Sequence, residues 1–154
     1  MKRYVSFGRT GAILLLAGAI ALSPGCRRPT DAETRNFTPI LSTFDADAGG
    51  WTVLGDAEPP VWHPSGGNPN GYVSARDRAE GEGWFWVAPA KFRGNMAGAY
   101  GRWLMFDLRQ DRLTENYAAD DVVLVGGGLT LRYNLPNDPS TAWTAYRVAL
   151  EENG

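Results

Sequence analysis

Glycine and proline recur at intervals too short for helices of ordinary length, and this constrains the fold more than any other feature of the sequence. Nineteen glycines and ten prolines are spread over 154 residues, and no long stretch keeps the 3.6-residue apolar period of an amphipathic helix. Between the breaks lie short β-branched and aromatic runs, which favour extended backbone. The chain is therefore predicted to be all-β. Strands are expected near Ile40–Phe44, Trp51–Leu54, Tyr72–Asp77, Gly83–Val87, Arg102–Arg109, Val122–Val125, Leu129–Asn134 and Thr141–Leu150. Eight short strands suggest a β-sandwich or jelly roll. At their centre lies Trp84–Gln110, which reads as strand, turn, strand.

The N-terminus is of another kind. Lys2, Arg3 and Arg9 precede an uncharged apolar run, Gly11–Leu22, and a short polar exit, Ser23-Pro24-Gly25-Cys26. That is the pattern of a secretory signal peptide over residues 1–25. The run is twelve residues long, whereas a spanning helix needs about 20. Cys26 is the only cysteine, which excludes an intramolecular disulfide. Gly25-Cys26 after an apolar run resembles a bacterial lipoprotein signal, in which the cysteine is lipidated and becomes the new N-terminus, although Ser23 stands where such signals usually carry Leu. Ordinary cleavage after Ala21-Leu22-Ser23 would leave Pro24 directly after the cut, which signal peptidases handle poorly. Residues 26–36 are polar and lack a hydrophobic period, as expected of a flexible tether. Residues 37–154 then form one domain. Removing the leader leaves twelve basic against seventeen acidic residues, the wrong sign for a nucleic-acid partner.

Alternation assigns faces within the domain. Leu104, Phe106 and Leu108 share one face, as do Leu129, Leu131 and Tyr133, and Tyr146, Val148 and Leu150; these are predicted to be core. The opposite faces carry Trp103, Met105 and Asp107, then Thr130, Arg132 and Asn134, then Trp143, Ala145 and Arg147, a polar surface with aromatics set into it. Gly126-Gly127-Gly128 between two strands reads as a tight hairpin. A phosphate loop would need a following Gly-Lys-Ser/Thr and a helix, and neither is there. Glu58–Gly71, with Trp62 and the only histidine, His63, reads as a long loop of functional interest.

Phe44-Asp45, Gly50-Trp51-Thr52-Val53 and Trp84–Asn95, followed by Ala99-Tyr100-Gly101, Leu104–Leu108, Asp121–Leu131 and Tyr146–Glu151, appear in an order that resembles the laminin B domain, also called laminin domain IV. The resemblance covers about Phe44 to Gly154. It implies an extracytoplasmic β-sandwich of the galactose-binding-like, jelly-roll kind, with no catalytic residues. In laminins this domain interrupts cysteine-rich repeats, and no cysteine follows Cys26, so assembly into a basement-membrane network is not implied. The family usually continues past Glu152-Asn153-Gly154, so the resemblance also implies a shortened domain and an uncovered edge or apolar patch.

The residues offer little chemistry. Paired carboxylates of the kind a glycan hydrolase needs exist as Asp45 with Asp47, Glu80 with Glu82 and Asp120 with Asp121, but all fall in turns or at strand ends, where the backbone alone calls for them. His63 has no second histidine or cysteine with which to share a transition metal. Asp45 and Asp47 before a glycine turn leave room for a structural calcium ion and no other cofactor. Six tryptophans exceed what one small core absorbs, and exposed indoles stack on sugar rings or anchor protein partners. The expectation is a non-catalytic, envelope-anchored binding module for a glycan, with Trp84, Trp86, Trp103, Arg132 and Arg147 as the contact residues. The alternatives are a structural or adhesion module that meets protein surfaces, and a diverged hydrolase.

Overall fold

The computed structural model describes residues 37–78, 83–113 and 120–151, together with the backbone of residues 2–6. The described elements are strands β1 (Lys2–Ser6), β2 (Thr52–Gly55), β3 (Val61–His63), β4 (Tyr72–Arg76), β5 (Trp84–Val87), β6 (Trp103–Gln110), β7 (Val122–Gly126), β8 (Leu129–Tyr133) and β9 (Thr144–Ala149). Two single 3-10 turns, Ala90–Phe92 and Ala97–Ala99, lie between β5 and β6. The chain is all-β, as its glycine and proline spacing predicts. None of its described helices is long and apolar enough to cross a membrane.

The larger sheet has the order β3-β4-β1-β6-β9, while β2–β5 and β7–β8 are separate two-stranded sheets, and every pairing is antiparallel. One core joins them. Leu104 and Phe106 of β6, Val73 and Ala75 of β4, and Tyr146 and Val148 of β9 meet Trp84 and Trp86 of β5, with Phe44, Trp51 and Phe92 closing one side. This is the layering of a β-sandwich. Alternation places the first half of β6: Leu104 and Phe106 are buried while Trp103 is exposed.

Ile40–Phe44, expected as a strand, is not one. Side chains pin it instead of a ladder: Trp51 Nε1 donates to Ser42 Oγ (2.9 Å), Lys91 Nζ to the Leu41 carbonyl (2.7 Å) and Trp62 Nε1 to the Phe44 carbonyl (2.9 Å). Phe44 itself has φ 55, a left-handed conformation that a bulky residue takes only when its surroundings hold it there. It is buried and meets Trp51 edge-on at 6.5 Å. The expected loop from Glu58 to Gly71 contains β3, which pairs Val61, Trp62 and His63 with Ser74, Val73 and Tyr72. Of residues 1–25, the expected leader, only residues 2–6 are described, and they form β1 in the middle of the larger sheet. Cys26 and the expected tether, residues 26–36, lie outside the described residues.

The Gly126–Gly128 hairpin joins β7 to β8 as expected, with Gly127 at φ 57 and Gly128 at φ 78. Gly127→Val should therefore lower stability by more than about 1 kcal/mol, because a β-branched residue fits this region poorly. Urea titration of the two proteins checks it.

Tyr146 stacks on Phe106 (5.4 Å between ring centroids) and donates its hydroxyl to the Asn137 carbonyl at 3.0 Å. Burial, then the charges of Asp121 and Asp138, push its phenol up from 10.0 to about 12. The sign follows from linkage: above the ordinary phenol value the unfolded chain ionises while the native one stays neutral. Stability present below pH 10 should fall as the pH rises toward about 12, and Tyr146→Phe should lack this part of the loss. Melts at stepped alkaline pH would show it.

Candidate binding surfaces

The carboxylates are engaged by the chain itself. Asp47 Oδ1 accepts the Gly49 N–H at 2.6 Å, Asp45 Oδ1 accepts from Asn70 Nδ2 at 3.0 Å, and Asp121 Oδ2 accepts the Leu135 N–H at 2.8 Å. Asp120 pairs with Arg132 at 2.7 Å. Glu80 and Glu82 lie outside the described residues. Among the described residues no three His, Cys, Asp or Glu side chains gather where a metal could be held, so a calcium ion at Asp45 and Asp47, for which the sequence leaves room, finds no third such side chain there.

The five expected contact residues separate into two groups. Trp84 and Trp86 are buried, at 4% and 8% exposure, and pack against each other at 5.7 Å. Their stacking role is thereby corrected: β5 turns this face toward the core and leaves Phe85 and Val87 on the other, half-buried face. Trp103, Arg147 and Arg132 are exposed. Trp103 and Arg147 sit diagonally across the β6–β9 ladder, where Trp103 pairs with Ala149 and Met105 with Arg147. That offset suits long side chains. The Arg147 guanidinium lies 3.6 Å from the Trp103 ring centroid, so it already occupies one face of the indole that a sugar ring would use. Asp107, expected on the same outward face, is buried.

A second aromatic group is formed by His63 of β3, Tyr72 of β4 and Trp143, which directly precedes β9. His63 stacks on Tyr72 at 4.3 Å, and Tyr72 meets Trp143 edge-on at 5.5 Å. Arg109 stands over Trp143 at 5.2 Å, His63 Nε2 and Ser74 Oγ share a hydrogen bond of 2.9 Å, and Trp143 Nε1 donates to the Gly66 carbonyl at 2.9 Å. His63 and Trp143 are 80 residues apart in the chain, and only the pairing of β3 with β4 and the return of β9 unite them.

The largest departure is the β7–β8 hairpin. Leu129, Leu131 and Tyr133 do share a face, as alternation predicts, but the face is open to solvent: they are 51%, 55% and 44% exposed. Every residue of β8 is exposed, and among the described residues its only strand partner is β7. Cross-strand partners Leu124 and Val122 place one end of this face against the core, since Val122 is buried and Leu124 packs on it. The apolar stripe thus begins in the core and runs out over the surface. A period of two gives the face of a strand, but carries no signal for what covers it.

The architecture is that of an all-β sandwich domain built from antiparallel sheets. Within it, residues 85–154 match the family model described as Laminin B (Domain IV). The chain is 38% identical over 93 residues to horse (Equus caballus) laminin subunit gamma-2, covering 60% of this chain and 8% of that protein. Human (Homo sapiens) laminin subunit gamma-2 is 33% identical over 109 residues, 71% of this chain and 9% of the relative. Laminin subunit gamma-1 of Xenopus tropicalis is 33% identical over 100 residues, or 65% and 6%. These matches support a laminin B domain in the chain, which spans less than a tenth of the length of these curated relatives. No solved structure matches it.

Proposed function

We propose that this chain is an exported, non-catalytic binding module of the laminin B kind, with the β7–β8 hairpin as its contact surface and protein as its partner. The observation that carries this reading is the open apolar face of Leu129, Leu131 and Tyr133 on a strand that has, among the described residues, one free edge. Contiguous apolar surface of this sort favours association, and an unpaired edge adds backbone donors and acceptors to it. The likeness to laminin subunits fits an extracellular setting. Carbohydrate binding is the second reading, favoured by the corner of Tyr72, Trp143 and Arg109 and by the exposed Trp103 beside Arg147, with Arg132 as a further donor. It lost two of its supports when Trp84 and Trp86 turned inward.

A panel of immobilised extracellular proteins and a glycan array, each probed with the whole protein and with Leu131→Lys, separates the two readings. The expected result is retention on one or more proteins that Leu131→Lys abolishes. Glycan binding that survives Leu131→Lys and disappears in Trp143→Ala would overturn the protein reading.

Residues 1–25 are proposed to direct export and Cys26 to carry the lipid anchor. Cys26→Ser is then expected to leave the chain unprocessed or to release it from the membrane fraction, since acyl chains hold it there. Fractionation with an antibody to the domain checks this; unchanged membrane association would sink it.

A further inference from the structure

The centre of the larger sheet is built from a segment with the sequence of an export leader. β1 is antiparallel to both neighbours: Val5 pairs with Val73 of β4 and Leu108 of β6, and Arg3 with Ala75 and Gln110. It follows that β4 and β6 run parallel to each other with no ladder between them, two strand spacings apart, or about 10 Å. Without β1, both would present unpaired N–H and C=O groups to the gap. The gap would also open onto the core face of the sheet, where Val73 and Ala75 on one side and Gln110 on the other are buried. Gln110 donates through Nε2 to the Pro139 carbonyl at 2.6 Å, and its Oε1 finds no donor among the described residues. An acceptor therefore waits beside the position that Arg3 takes in the ladder. The other described strands are already placed, β2 with β5, β7 with β8, and β3 and β9 at the sheet's edges.

We propose that the gap between β4 and β6 is a strand-acceptor site, filled by Lys2–Ser6 in the full chain and taken, once the leader is cut away, by an extended strand of another polypeptide. That strand runs antiparallel to both β4 and β6. It places small or apolar residues opposite Val73 and Leu108 and a donor opposite Gln110. Main-chain hydrogen bonds on both sides supply the affinity, and the alternate positions supply the selectivity. The idea rests on reading residues 1–25 as a leader, but its test does not, because the cut can be made by hand.

The full chain with a site-specific protease sequence inserted between Arg28 and Asn36 is cut, freed of its N-terminal fragment and offered a fluorescent peptide of residues 1–7. Binding to the cut protein and none to the uncut protein is expected. A peptide carrying Tyr4→Pro, which lacks one ladder N–H, should bind about tenfold more weakly or worse. If release of the fragment unfolds the domain, refolding on addition of the peptide, read by circular dichroism, supports the proposal equally. Failure of the cut protein to bind or refold, or equal binding to cut and uncut protein, overturns it. Whether the native leader is processed is read separately from the N-terminal sequence of the exported protein, and a negative answer there leaves the binding result in force.

Discussion

Gly71→Ala is expected to unfold the domain or to cost about 3 kcal/mol or more, the upper end of what overpacking does. A Cβ at residue 71 would run into the Phe44 carbonyl oxygen, with the Phe44 carbonyl carbon at 2.8 Å and the His63 oxygen at 3.1 Å. All three are backbone atoms, so no rotamer change gives relief. Phe44 is the worst neighbour to displace, because it is buried, holds φ 55 and accepts the Trp62 indole N–H. Moving its carbonyl breaks that bond and disturbs the packing of Phe44 against Trp51 together. Gly94→Ala is the control. Its φ of +99 strains any side chain, but a Cβ there meets nothing within 4 Å, so the loss should stay near about 1 kcal/mol. Urea titrations of the two variants compare a steric cause with a conformational one.

Trp84→Ala should lower stability by about 3–5 kcal/mol, the range for emptying a buried aromatic site. Trp103→Ala should change it by less than about 1 kcal/mol, since an exposed indole stacked on an arginine contributes little. The two residues lie on neighbouring runs of one strand-turn-strand unit, and the sequence expects both to be contact residues. Burial parts them: Trp84 is 4% and Trp103 46% exposed. If thermal melts showed similar losses, the assignment of the β5 face to the core would be wrong.

These cases show what was legible in the residues. Turn chemistry and alternation were local, so the all-β class, the hairpin at Gly126–Gly128 and the inward faces of β6 and β9 could be read directly. The depth at which a face lies was not local. Trp84 and Trp86 stand two residues apart and so share a face of any strand, but which way that face looks depends on β2 pairing with β5 and on the core it joins with Phe92 and Leu104. Leu129, Leu131 and Tyr133 likewise share one face by alternation, yet no described residue packs across them as the core residues of β6 and β9 pack on one another. Non-local pairing also decided the corner of His63, Tyr72 and Trp143, which no sequence spacing announces. The ordered motifs from Phe44 onward resemble the laminin B domain, and the family match over residues 85–154 agrees with those that fall within it.

The claim that this domain makes its contacts through β8 is tested most directly by a photoreactive benzophenone side chain placed at Leu131, with Thr141, also exposed, as the control position. After irradiation in the protein's own setting, the account predicts a discrete polypeptide adduct at position 131 and none at 141. A folded protein that forms no adduct at 131, or forms the same adducts from both positions, would contradict it.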